Sequence, residues 1–88
     1  MKPLNYAILK YMTTVTEACT EDVMGALKGT YASFRAFNKK DVLTALMTAV
    51  ANGLLVESRF ELNDQGEVRM YFSADADGAA TINRYIPD

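Results

Sequence analysis

The feature that most constrains the fold is the stretch VANGLLVESRFELNDQGEVRMYFS, in which a helical pattern passes directly into the pattern of a β-hairpin. Apolar and polar side chains alternate over most of residues 54–62 and again over residues 67–73. Such alternation is typical of strands that bury one face. The stretch therefore predicts two consecutive strands with these bounds and no element between the helix and the first strand.

The same alternation predicts the register of the hairpin. If the apolar sets of both strands face one core, Leu62 lies opposite Val68 and Phe60 lies opposite Met70. The intervening loop then has three residues, with Gly66 at a position of positive φ.

Apolar residues at helical spacing predict three helices before the hairpin and one after it, at about residues 3–15, 21–28, 39–52 and 76–86. Expected signals at their ends are Pro3 in a first turn, Thr20 and Asn38 as N-caps, Gly29 as a stop, and Asp75 or Ser73 as the last N-cap. The expected core stripe of the third helix comprises Leu43, Leu46, Met47, Val50 and Leu54. A short extended segment is expected at residues 17–19.

This order of elements predicts an α+β fold, mainly α with a small antiparallel hairpin, in one domain over residues 1–88. Two segments, DVLTALMTAVANGLLVES (41–58) and GEVRMYFSADADG (66–78), resemble the winged helix-turn-helix superfamily, especially the PadR-like and MarR-like bacterial regulators. The resemblance implies a winged helix, in which the hairpin is the wing and covers the open side of a three-helix core.

The resemblance also implies a function, because such regulators mostly bind double-stranded DNA as dimers. The third helix would enter the major groove and the wing would lie beside the backbone. The residues of this chain that take these positions are Lys39, Lys40, Thr44 and Thr48 on the helix and Arg59 and Arg69 on the wing. The C-terminal helix would either dock on its own domain or pair two chains, and the resemblance favours a homodimer.

The distribution of charge supports two competing functions. Between Val23 and Lys40 there is no acid but there are four cations, namely Lys28, Arg35, Lys39 and Lys40, interleaved with three aromatic residues. Basic side chains of this kind suit contact with DNA phosphates. Alternatively, the cations are only solvated and the aromatic residues belong to the core. The net charge of −2, the pI near 5.0 and the acidic wing favour a winged-helix module that binds protein and no DNA.

Other functional classes have little support in the sequence. There is no His and a single cysteine, Cys19, so neither a Cys–His nucleophile nor a zinc site is expected. We expect no enzyme, no cofactor and no metal, and the acids of SADADG (73–78) are better explained as helix caps than as a calcium loop. No apolar run is long enough to cross a bilayer, and a lone cysteine suits the cytoplasm.

Overall fold

A computed structural model describes all 88 residues of the chain. Four helices and one two-stranded antiparallel hairpin form an α+β fold with a winged-helix layout. The elements are α1 (Leu4–Met12), α2 (Thr20–Tyr31), α3 (Lys39–Ala51), β1 (Val56–Leu62), β2 (Val68–Ser73) and α4 (Ala76–Tyr85). None of the four helices combines the length and the apolar character that a transmembrane span requires.

The three helices before the hairpin follow the prediction in number but not in every boundary. Helix α1 ends at Met12 instead of residue 15, because the hydroxyls of Thr13 and Thr14 donate to the carbonyls of Lys10 and Tyr11, both at 2.7 Å, and form a tight turn. Side-chain bonds of this kind compete with helix propagation.

Helix α2 is longer than predicted at both ends. Cys19 and not Thr20 is its N-cap, and the Cys19 N–H donates to Asp22. Gly29 does not end the helix, which continues to Tyr31. The ring of Tyr31 is buried and its hydroxyl donates to the carbonyl of Lys2, so tertiary contacts outweigh the low helix propensity of glycine.

Helix α3 begins as predicted, with the Asn38 side chain accepting from the Asp41 N–H at 2.9 Å. Its buried residues, however, are Val42, Leu46 and Ala49. The prediction that Leu43 and Met47 belong to the core is wrong, since these residues are 37% and 52% exposed. The apolar stripe of this helix is wider than the surface that α1 and α2 cover.

The predicted register of the hairpin is confirmed. Phe60 pairs with Met70, Leu62 pairs with Val68, and Gly66 has a φ of 78° in the connecting loop. Ala18 forms an isolated antiparallel bridge with Phe72, which confirms the predicted extended segment before α2.

The prediction that the whole apolar face of the wing covers the core is wrong at its distal end. Phe72 is fully buried, whereas Phe60, Leu62 and Val68 are 65%, 64% and 65% exposed. The strands extend beyond the helices, so side chains near the loop have nothing to pack against. A bulge between Glu57 and Arg59 also breaks the alternation of β1, and the sequence did not predict it.

Helix α4 returns the chain to α1. The Asp75 carboxylate accepts from the Gly78 N–H at 2.7 Å and caps the helix, as predicted. A side chain at Gly78 would lie against the carbonyl of Leu54, which explains why glycine is needed at this crossing. Ile82 and Ile86 are buried within the same chain.

Candidate interaction surface

The outer side of α3 is exposed along its whole length. Lys40, Thr44, Met47, Thr48 and Ala51 all lie on the surface. The Thr44 hydroxyl donates to the carbonyl of Lys40 at 2.9 Å, so the Thr44 oxygen can still accept a bond from outside. The helix therefore offers a free, partly polar surface to a ligand.

The cations around α3 form what we call the basic arc, consisting of Lys28, Arg35, Lys39 and Lys40. Lys28, Arg35 and Lys40 are exposed and have no ion-pair partner. Lys39 is the exception, because its Nζ lies 3.3 Å from Glu21 Oε2. Three of the four predicted cations are thus free to contact an external anion.

The basic arc is spread out and is not one cluster. Lys39 contacts the start of α2 at Glu21. Lys28 lies seven residues further along that helix, which is about 10 Å at 1.5 Å per residue. Such a spacing suits contact with several phosphates of a duplex better than contact with one small anion.

The aromatic residues of this region serve mainly the fold. Tyr31 is buried and Phe37 packs against the core, while the partly exposed Phe34 stacks edge to face on Tyr31 with ring centroids 4.9 Å apart. Of the two interpretations that the sequence left open, the packing role is the one observed for Tyr31 and Phe37.

The wing arginines differ from the cations of the basic arc because both have carboxylate partners. Arg59 lies 2.6 Å from Glu17 and 2.9 Å from Glu61, and its guanidinium lies 3.9 Å above the ring centre of Tyr71. The hydrogen bonds that Arg59 donates to Glu17, and then the one that it donates to Glu61, raise its pKa above the ordinary value. Arg59 therefore stays charged, but its charge is already compensated.

Arg69 is compensated more weakly. Its Nη1 lies 3.5 Å from Glu61 Oε1, and its Nε is buried without a hydrogen-bond partner. The Tyr71 hydroxyl donates to the same carboxylate at 2.9 Å. A hydrogen bond from Arg59, supported by the bond from Tyr71, keeps the pKa of Glu61 below its usual value. On the outer face of the wing, the charges of the two arginines are thus balanced by those of Glu17 and Glu61.

An apolar cleft, which the sequence did not predict, lies between α3 and the wing. It has a volume of about 490 Å³, and its apolar lining includes Leu43, Met47, Val68 and Met70. Lys39, Lys40, Glu21 and Glu57 provide charged groups beside it. The only signal for this cleft in the sequence was an apolar stripe on the third helix wider than a small core requires.

The fold and this surface define a small α+β fold with a winged-helix layout, a third helix whose outer side is exposed, and a wing that is apolar on one face. No protein-family model and no curated protein matches the chain.

Proposed function

We propose that the chain binds double-stranded DNA through α3 and the basic arc, as a small transcriptional regulator of the PadR-like and MarR-like kind that its sequence resembles. The observation that supports this proposal most is the contrast in ion pairing. Lys28, Arg35 and Lys40 have no carboxylate partner, whereas Arg59 and Arg69 do.

Helix α3 is the element that would enter the major groove. Its 13 residues extend for about 20 Å, and a groove about 12 Å wide admits a helix. Lys40 and Thr44 would face base edges, where ammonium and hydroxyl groups form hydrogen bonds. The exposed Met47 would offer an apolar contact of the kind that thymine methyl groups accept.

The wing would contribute little to the contact with phosphates. Its arginines are compensated by Glu17 and Glu61, and further carboxylates stand at Asp64 and Glu67 beside the loop. Their negative charge would repel the duplex backbone. We therefore expect binding that is weak at physiological salt and dominated by one side of the molecule.

A matched pair of double variants tests this proposal. Arg35→Ala with Lys40→Ala and Arg59→Ala with Arg69→Ala each remove two positive charges, so the global charge changes equally. With a fluorescently labelled random duplex at low salt, the first pair should lower the affinity by at least about tenfold and the second by less than about threefold. Equal losses, or a parent chain that binds no duplex at low salt, would contradict the proposal.

A second candidate function is a protein-binding module that does not bind DNA. The observation that favours it is the exposed apolar surface of the cleft and the distal wing, because large apolar patches on small proteins mark binding surfaces. Replacing Leu43 and Val68, which line the cleft, by serine separates the two functions. DNA binding through the basic arc should survive this change within about threefold, whereas a protein docked in the cleft would be lost.

A further inference from the structure

The outer edge of β1 is unpaired. Strand β2 has a neighbour on each side, with β1 along one edge and Ala18 at the other. Strand β1 pairs only with β2, and none of its backbone groups bonds to any other part of the chain. Such a row of free N–H and C=O groups is a template for a further strand.

Beyond its bulge, this edge lacks Pro, Lys and irregular backbone, three features that usually prevent association, and its two charged side chains, Arg59 and Glu61, are of opposite sign. Strand β1 contains neither Pro nor Lys, and its bulge lies at its beginning, so the segment from Arg59 to Leu62 keeps a regular ladder. Phe60 and Leu62 are about two-thirds exposed on one face of that segment. An edge that is both regular and apolar is a surface that folded proteins normally cover.

The charges of β1 fit a second copy of the same strand. In an antiparallel pair with its two-fold axis at Phe60, the two Phe60 rings lie opposite each other and Arg59 of each copy lies opposite Glu61 of the other. An axis at Arg59 would instead place Glu57 opposite Glu61 and the two arginines together. An axis at Glu61 would place the two Glu61 carboxylates together. Since like charges directly opposite are unfavourable, the axis at Phe60 is favoured over these two, and unlike an axis at Ser58 it does not fall on the bulge.

We propose that two copies of the chain pair through β1 about a two-fold axis at Phe60 and form a four-stranded antiparallel sheet. The interface is isologous, with the same strand contributed by each copy. On one face, the distal apolar side chains of the two wings, namely Phe60, Leu62, Val68 and Met70, form a continuous patch. On the other face, Arg59 and Glu61 extend their ion pairs across the axis.

This inference is independent of DNA binding and assigns the dimer contact to a different element from α4. The apolar side chains of α4 on which a C-terminal dimer would depend, Ile82 and Ile86, are buried within the chain, and only Tyr85 remains exposed. The side chain of Lys10 on α1 also binds Asn83 and Asp88 at 2.8 and 2.7 Å. A dimer through α4 stays a prediction, but of the three apolar side chains named for it only Tyr85 is available to a second copy.

Complementary charge variants test the pairing. In Arg59→Glu alone, the introduced carboxylate would face Glu61 across the axis, and in Glu61→Arg alone, the introduced guanidinium would face Arg59. Each variant should therefore be monomeric at a concentration where the parent is dimeric. Mixed in equal amounts, they should form a heterodimer, because each of the two cross-axis pairs then joins a carboxylate of one chain to a guanidinium of the other. Sedimentation equilibrium measures the masses. Arg69→Glu, which changes an inner strand, should remain dimeric.

A covalent trap tests the register even if a charge variant folds poorly. With the buried Cys19 replaced by Ser, Phe60→Cys should form an intermolecular disulfide on mild oxidation, because directly opposed residues have Cα atoms about 5 Å apart. Leu62→Cys should not, because its two copies would lie four residues apart, about 13 Å. A parent that stays monomeric at millimolar concentration, a mixture that stays monomeric, or equal trapping at both positions would overturn the proposal.

Discussion

The cations of the basic arc and the cations of the wing differ in their neighbours more than in their number. Around α3, Lys28, Arg35 and Lys40 have no carboxylate within ion-pairing distance. On the wing, Arg59 has two carboxylate partners and Arg69 has one. Availability to an external anion therefore depends on which groups the fold brings alongside a cation. The position of a cation on the third helix or the wing does not by itself predict whether that cation is available to an anion.

A second difference divides the wing itself. Its proximal end carries Phe72, which is fully buried and whose backbone bridges to Ala18, and its distal end carries Phe60, which is on the same face and 65% exposed. The same alternating pattern thus gives side chains that belong to the core at the proximal end of the wing and side chains that are exposed at its distal end.

Truncating the two phenylalanines should give very different losses of stability. We expect Phe72→Ala to lower the free energy of unfolding by about 3–5 kcal/mol, since it empties a fully buried site. Phe60→Ala should lower it by less than about 1 kcal/mol, because only a cross-strand contact with Met70 is lost. Urea denaturation at a concentration where the chain is monomeric measures both. Similar losses would mean that the distal wing is packed.

The same comparison applies to α3. Leu46→Ala should cost about 2–5 kcal/mol, because Leu46 is fully buried. Leu43→Ala, three residues earlier in the same helix, should cost less than about 1 kcal/mol, because the side chain lies at the rim of the cleft. Thermal and urea unfolding of the pair would show whether the helix has the phase described. A larger loss for Leu43→Ala would contradict it.

The ion pairs of the wing should produce a small dependence of stability on pH. The hydrogen bond from Arg59 lowers the pKa of Glu61 below the ordinary 4.5 in the folded chain. A depressed folded pKa stabilises the fold above the unfolded value, and this stabilisation is lost as pH falls through the folded value. Glu61→Gln should therefore lower the melting temperature slightly at pH 7 and have almost no effect well below pH 4. An equal difference at both pH values would exclude this ion-pair network.

The order of elements, the hairpin register and the caps at Asn38 and Asp75 could be predicted from the sequence, because each depends on local patterns or on alternation. The bulge before Arg59 and the true end of α2 could not be predicted. They depend on contacts between distant residues, such as the bond between Tyr31 and Lys2.

The residues of the candidate site could be predicted from the sequence, but which of its cations have carboxylate partners could not. The sequence identifies Arg59 as a basic wing residue, but Glu17 lies 42 positions away along the chain, and only the bridge at Ala18 brings it alongside. The exposure of Leu43 and Met47 also depends on how far α1 and α2 cover the third helix. A hydrophobic pattern does not report that extent.

The salt dependence of DNA binding tests the contrast between the basic arc and the wing most directly. With three free cations and about −0.9 per phosphate contact, the slope of log K against log salt should be about −2 to −3 per protomer. Lys40→Ala should reduce its magnitude by about 0.9, whereas Arg59→Ala should leave it unchanged. A slope that Arg59→Ala reduces as much as Lys40→Ala does would contradict this account of the two regions.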